Sequence, residues 1–343
     1  MGKIKTVRLL DIATKAGVSV SAVSKTMNGS DEIPEAAREK ILSIARELDY
    51  HPNFSARSLR LGRSRIIGVI IPNNDFSYNH VLSGISKALE ETDYTPIFIS
   101  TKDDPKYEKS AIKKLLSIPV DGILSVPVSM DSYKNVFVPV VFMSRYPYRN
   151  PRTGEPVRTN DNYVVTDDYE GQRIATTELI KECGGNVYIF LGSENTRTVA
   201  GIKEHIRLSG YKKALEEQDI PFDEGHVYWN TTSLENACEN TRKLLERVKP
   251  PFGLMVANDY FSIGVISTLL KNGYSIPDDV KIIGFDDLEM ASYISPTLTT
   301  IHCSRYRLGS CATQHLVSII QSKNTGEAIQ TIFQPKFVKR SSM

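Results

Sequence analysis

Among the first 65 residues of this 343-residue chain, 12 Lys and Arg stand against 7 Asp and Glu, a net of +5; the remainder carries 30 basic and 33 acidic residues, a net of −3. A basic head on a slightly acidic body points to a polyanionic partner, because clustered Lys and Arg displace counterions from phosphates. A solvated surface would carry the same charges, so charge alone leaves both readings open. The other reactive residue types do not assemble into recognisable sites. Cys183, Cys238, Cys303 and Cys311 are far apart with no CxxC pair, which predicts reduced thiols in a cytosol, without a disulfide frame or a zinc site. His80, His205 and His226 have no recognisable partners in sequence. No GxGxxG follows a strand, and there is no GxxxxGK before Ser or Thr, no HExxH and no GxSxG. An enzyme is therefore not expected.

The elements that must position the basic residues start in "DIATKAGVSVSAVSKTMNG" (Asp11–Gly29). Leu9, Ile12, Ala13 and Ala16 share one helical face, and Gly17 ends that helix. Ser19 sits where an N-cap belongs, with Val20, Val23 and Met27 on the inner side of a second helix that Asn28-Gly29 closes. A third helix begins near Pro34 and runs with Ile41, Leu42, Ala45 and Leu48 inward until Tyr50-His51-Pro52. Helices this short are marginal alone in water and must pack on each other. Two short helices joined by a tight turn form a helix-turn-helix, whose second helix enters the major groove; an ordinary three-helix bundle remains the alternative. "NFSARSLRLGRSR" (Asn53–Arg65) holds four arginines and little to bury, and reads as a conditionally helical connector.

From Ile66 onward, apolar runs alternate with amphipathic segments. The runs are IIGVII, PIFIS, DGILSV, VPVVFMS, NVYIFLG, FGLMVAN and KIIGFDD. Such alternation predicts parallel sheet covered on both faces. Seven or more units overfill one small sheet, and "RYPYRNPRTGEPVRTNDN" interrupts the series. Two doubly wound lobes are expected, with a single barrel of eight units as runner-up. The composition, 41% apolar and 24% charged, is that of an ordinary globular protein, and no apolar run approaches the roughly 20 residues of a membrane helix. No signal peptide is evident, so a cytoplasmic location is expected.

"LLDIATKAGVSVSAVSKTMNG", "IPEAAREKILSIARELDYHPNFSARSL" and "IIGVIIP" resemble the LacI/GalR family of bacterial repressors. The likeness continues through "VPVVFMSR", "IRLSGYKKAL", "VANDYFSIGVISTLL", "IPDDVKIIGFDDLEMASYISPTLTTI" and "FVKRSS", covering essentially the whole chain in the family's order. Two departures stand out: a longer stretch at Tyr146–Asn162, and Arg8 where the family usually has a Thr cap. The resemblance implies an α/β protein with a helix-turn-helix head (1–52), a hinge helix (53–63) and an effector-binding and dimerisation body (64–343) of periplasmic-binding-protein type. In that body the first lobe spans about 64–165 and 303–330, and the second about 166–302 and 331–343.

The same resemblance assigns base reading to Val20, Ser21 and Ala22, and phosphate contacts to Ser19, Ser24, Lys25 and Asn28, with Tyr50 and Asn53 in the DNA-contacting set. Val and Ala can touch a thymine methyl and Ser can donate or accept, but none is a bidentate reader, so modest direct readout is expected. Leu59, flanked by Ala56, Arg57 and Arg60, matches the hinge leucine that wedges into the minor groove; simple packing of a linker helix is the alternative. Effector-contacting positions carry over to Phe76, Tyr78, Arg145, Arg207, Asn258, Asp259 and Asp286, with Trp229 on looser alignment. Aromatic faces and fixed Arg, Asn and Asp groups suit a sugar or sugar derivative. Each has a plainer reading: Asp259 as a helix cap, Arg207 as a surface charge, Trp229 as core. The implied partners are duplex operator DNA, a small effector and a second copy of the chain, with no metal, cofactor or membrane. No heptad tail follows "FVKRSSM", so a coiled-coil tetramer is not expected. A periplasmic sugar-binding protein without a DNA role is the alternative function.

Overall fold

The computed structural model describes residues 7–27, 30–50, 63–72, 76–150, 154–192, 198–199, 202–203, 205–322 and 326–343, with the backbone alone at 76–77, 198–199 and 202–203. The chain divides into a head, residues 1–64, and a body, residues 65–343.

The head packs α1 (Leu9–Ala16), α2 (Val20–Met27) and α3 (Glu35–Glu47) around Ile12, Ala13, Ala16, Val23, Ile41, Ile44 and Ala45. The inward face of α3 therefore takes Ile44, with the expected Leu42 only half-buried at its flank. Pro34 stands just before α3 as its cap residue. Gly17 ends α1 in the left-handed region (φ 69°), and the Val18 N–H closes back on the Ala13 carbonyl at 3.1 Å. A Cβ is costly at that φ, which is why glycine makes this bend. Arg8 offers no acceptor for the first turn of α1. Asp11 supplies the other half of a capping box by accepting the Arg8 N–H at 2.7 Å, so the helix start is held without a Thr cap.

The body holds two sheets. The first contains β1 (Ile66–Ile71), β2 (Thr95–Ser100), β3 (Gly122–Ser125), β4 (Val140–Met143) and β5 (Asn162–Thr166), joined by β13 (Gln330–Phe333) from near the end of the chain. Its order is β13-β5-β4-β3-β1-β2, with every neighbour parallel. Helix α4 (Phe76–Leu89) covers one face and α5 (Pro105–Leu116) the other. The second sheet runs β14-β12-β11-β10-β6-β9. Its strands are β6 (Val187–Phe190), β9 (Val227–Tyr228), β10 (Phe252–Met255), β11 (Val280–Asp286), β12 (Thr299–His302) and β14 (Lys336–Val338), which is the antiparallel one. Helices α6 (Asp168–Cys183) and α7 (Ile206–Glu216) cover one face, and α8 (Leu234–Leu245) and α9 (Asp259–Lys271) the other. A two-stranded hairpin, β7 (Thr198–Val199) with β8 (Ile202–Lys203), precedes α7. Two open sheets replace the single barrel kept as runner-up.

The last helix, α10 (Arg305–Ser322), returns to the first lobe and packs along α4. Glycines permit that contact: a Cβ on Gly84 would fall 2.1 Å from the Tyr306 carbonyl oxygen, and one on Gly309 2.1 Å from that of Val81. The chain crosses between lobes three times, at 166–167, 303–304 and 334–335, so the first lobe keeps Gln330–Phe333, slightly beyond the boundary read from the sequence. The long stretch after β4 builds onto the first lobe. Tyr146 stacks between Phe142 (5.2 Å) and Tyr163 (4.8 Å), and the buried Tyr148 hydroxyl donates to Asp167 at 2.9 Å. Among the described residues no helix is long and apolar enough to cross a membrane.

Candidate functional site

In the head, packing sorts the residues of α2. Val23 and Thr26 are buried against α1 and α3, while Ser19, Val20, Ser21 and Lys25 are exposed and Ala22 and Ser24 half-buried. Val20, expected on the inner side as well as at a base-reading position, is 41% exposed and belongs to the outer face. Ser19 does cap the helix, its Oγ accepting the Ala22 N–H at 3.1 Å. The amino end of α2 is thus a fixed, uncovered set of small side chains carried on a rigid core, with backbone N–H groups suited to an anion. Lys25 is not idle, because it pairs with Glu32, and the Glu32 carboxyl is lowered by that hydrogen bond and charge. Tyr50 is half-buried on the head core, its N–H on the Ala45 carbonyl at 2.9 Å. Asn28, Asn53, Arg57, Leu59 and Arg60, and with them the expected hinge helix, lie outside the described residues.

In the body, the carboxyl ends of the strands bring a second set together. Arg207 opens α7 and lies flat on Phe285, its guanidinium carbon 3.6 Å from the ring centroid. Its Nη1 donates to the Ala257 carbonyl at 2.6 Å, and its Nε and Nη2 approach Asp168 Oδ2 at 3.3 Å. Next to this pair stands Asp286, at the end of β11 and 4% exposed. Arg305 holds it, donating from Nε at 3.0 Å and from Nη2, while Nη1 donates to Ser144 Oγ at 2.9 Å. Burial pushes the Asp286 carboxyl above the ordinary carboxylate range, against the pull of Arg305 and Arg207. Both acceptors on Arg305 sit in left-handed backbone, Ser144 at φ 56° and Asp286 at φ 104°, conformations that cost of order 1–3 kcal/mol each for residues with a Cβ.

Other expected contacts take different places. Asn258, not Asp259, caps α9, its Oδ1 accepting the Phe261 N–H at 2.9 Å. Asp259 is fully buried, with Oδ1 accepting from Thr300 Oγ1 at 2.6 Å and Oδ2 from the Leu288 N–H at 2.7 Å. It is a frame residue: both oxygens are already used in tying α9 to β12 and the loop after β11. Burial raises its pKa well above the usual carboxylate value. Tyr78 is buried in the first-lobe core, because its helix begins soon after β1 and this turn faces the sheet. Phe76 begins that same helix. Arg145 is half-exposed in the first lobe and paired with Asp103 at 2.7 Å. Trp229 is half-buried against the second-lobe core, edge-on to His205 at 5.8 Å. Asp168, Ser144 and Arg305 were missed by sequence reasoning. The signals of Asp168 and Arg305, an acid two residues past β5 and a cation three past β12, are common and lacked context while those strands went unread; Ser144 ends the run VPVVFMS, where a lone serine marks nothing.

Residues 8–53 match the family described as bacterial regulatory proteins, lacI family, and residues 186–343 match the periplasmic binding protein-like domain. The HTH-type transcriptional repressor PurR of Haemophilus influenzae (strain PittEE) is 30% identical over 325 residues, 92% of each chain. This chain belongs to the lacI family. A second PurR, from Vibrio atlanticus, is 28% identical across 97% of both chains. Among solved structures, the lac repressor dimer bound to operator and the anti-inducer ONPF shares the fold, with 22% identity, 98% of this chain and 99% of that one, and a TM-score of 0.83. The transcriptional regulator CelR in complex with cellobiose does so with 24% identity, 98% and 100% coverage, and a TM-score of 0.70. As a lacI-family member this chain is a transcriptional regulator and not an enzyme, and the match over the head sets aside a sugar-binding protein with no DNA role.

Proposed function

We propose that the chain is a cytoplasmic repressor that binds operator DNA as a homodimer through the amino end of α2, and that a small sugar-like effector between its lobes controls the grip. The observation that carries the DNA reading is the capped, uncovered start of α2, where Ser19 to Ala22 stand outward on a buried three-helix core. Two such readers are needed for two half-sites, which is the reason for a dimer. Val20, Ser21 and Ala22 touch base edges. Ser19, Ser24, Lys25 and Asn28 contact the backbone, Tyr50 and Asn53 belong to the DNA-contacting set, and Leu59 wedges the minor groove between Arg57 and Arg60.

The effector reading rests on Arg207, Asp168 and Asp286, with Asn258, Arg145, Phe76 and Trp229 as further candidates on segments that follow strands, while Tyr78 is taken up by the first-lobe core. Cellobiose in the CelR neighbour supports a sugar as the class. A ligand that favours one lobe arrangement shifts DNA affinity by its differential affinity for the two arrangements, and by no more.

Labelled genomic duplex, titrated with the full chain and with a version lacking residues 1–62, tests the DNA reading. Binding by the full chain alone is expected. Equal binding by both would overturn it, and Leu59→Ala binding as tightly as wild type would remove the wedge.

A further inference from the structure

We infer that Arg305 is the positioning residue through which the effector site is coupled to lobe orientation. The inference rests on the reading of the strand-end cluster as the effector site. Arg305 begins α10, a first-lobe helix, immediately after the crossover at 303–304. Its guanidinium is 8% exposed and spans both lobes: Nε and Nη2 on Asp286 of the second sheet, Nη1 on Ser144 Oγ after β4 of the first, at 2.9 Å. Its own N–H turns back onto the Cys303 carbonyl at 2.6 Å, and the Cys303 N–H reaches the Asp286 carbonyl at 3.5 Å. The side chain thus ties the end of β11 to the end of β4, and the backbone of the same residue ties the first turn of α10 to the crossover.

Stability alone gives no reason for this arrangement. An apolar pair of the same volume in such a place is often at least as stable as a buried ion pair, because removing both charges from water is costly. What the fork adds is geometry. Guanidinium donors point in fixed directions, so Asp286 and Ser144 can both be satisfied in only one relation of the two lobes. Both acceptors are held in left-handed backbone, Ser144 at φ 56° and Asp286 at φ 104°. The bridge therefore sits where the backbone is already loaded. Asp286 is also the carboxylate beside Arg207, and both Arg305 bonds to it fall on Oδ1, so a ligand hydroxyl that donates to Oδ1 competes with Arg305 directly, and one that donates to Oδ2 draws on the carboxylate that the bridge holds. Effector binding and the setting of the crossover then become one equilibrium.

Hydrogen exchange on the full, ligand-free chain tests this, comparing wild type, Arg305→Met, the double variant Arg305→Met with Asp286→Asn, and Ser144→Ala. In Arg305→Met, the amides of 166–168, 302–306, 333, 334 and 336 should exchange roughly tenfold to a hundredfold faster, the scale of a lost charge-assisted hydrogen bond. The interiors of the two sheets should keep wild-type rates. The double variant should show the same acceleration, which separates loss of the bridge from a stranded carboxylate. Ser144→Ala, which keeps the ion pair, should show a smaller acceleration at the same three places and serves as the test if Arg305→Met does not fold. Unchanged crossovers, acceleration spread evenly through both cores, or recovery in the double variant would overturn the proposal. No ligand enters this measurement, so it stands or falls separately from a failure to find an effector.

Discussion

The guanidinium of Arg207 rests 3.6 Å above the ring centroid of Phe285 while its Nη1 holds the carbonyl of Ala257. Planarity is what allows both contacts at once, since a flat cation can stack and still donate in its own plane. Arg207→Lys is therefore not a conservative change. It should cost about 1.5–3 kcal/mol of unfolding free energy, the range for hydrogen bonds of charged groups, and should abolish the thermal shift given by any sugar that stabilises the wild type. Urea melts and a thermal-shift panel read both effects; a retained ligand shift would remove Arg207 from the site.

Asp259 makes stability depend on pH. Its carboxyl is raised well above the ordinary value, first by burial, with the charges of Asp286 and Asp287 adding and the bonds from Thr300 and Leu288 opposing. An acid with a raised folded pKa binds more protons in the native state than in the unfolded one. Its favourable contribution is thus full below the unfolded value of about 3.9 and is lost as pH rises toward the folded value. Asp259→Asn keeps an acceptor for the Leu288 N–H and an amide for Thr300. Relative to wild type the variant should gain stability as pH rises from about 4 through the titration window. Urea melts across pH 4 to 8 check this, and a constant difference between the two proteins contradicts it.

Glu32 occupies Lys25 in the head. Glu32→Gln should free that ammonium for a phosphate and remove a negative charge from the DNA-facing side. Affinity for random duplex should rise at low salt, and the plot of log K against log salt should steepen by up to about 0.9, the increment for one further phosphate contact. Fluorescence anisotropy over a salt series measures the slope. An unchanged slope would place Lys25 away from the backbone.

Gly84 and Gly309 set the approach of α4 to α10 from opposite sides. Because the obstructing atoms are backbone carbonyls, an added methyl cannot be relieved by rotating a side chain. Gly84→Ala and Gly309→Ala should each destabilise by about 1–3 kcal/mol, the overpacking range, read as a lower urea midpoint at unchanged slope. A neutral result at either position would mean that the helices slide apart freely.

The legible parts of the fold were those buried on both faces or governed by turn chemistry. IIGVII reads as a strand because five of its six residues are buried, and Gly17 and Ser19 read as a helix end and a helix start because only their backbone freedom and short hydroxyl fit there. Strands β5 and β12 escaped notice because they carry Asn162, Thr166, Thr299, Thr300 and His302 in place of an apolar run. Helix α10 was missed for a related reason. Its inner face does keep Leu308, Ala312, Leu316 and Ile320 at helical spacing, but Gly309, Thr313 and the buried Arg305 share that face and dilute the apolar signal. The site followed the same rule. Asp286 and Arg207 stand out in their motifs, but their partners Arg305 and Asp168 come from other elements, and sequence spacing cannot bring those together.

Regulation of DNA grip by a molecule held in the body is measured most directly by selecting genomic fragments with the purified full chain against random competitor, with and without each of a panel of sugars. The account predicts a fragment bound at least roughly 10³-fold more tightly than random duplex. It also predicts one sugar that changes this affinity by roughly 5- to 150-fold. Absence of any preferred fragment under every condition, or a preferred fragment whose affinity no bound sugar alters, would contradict it.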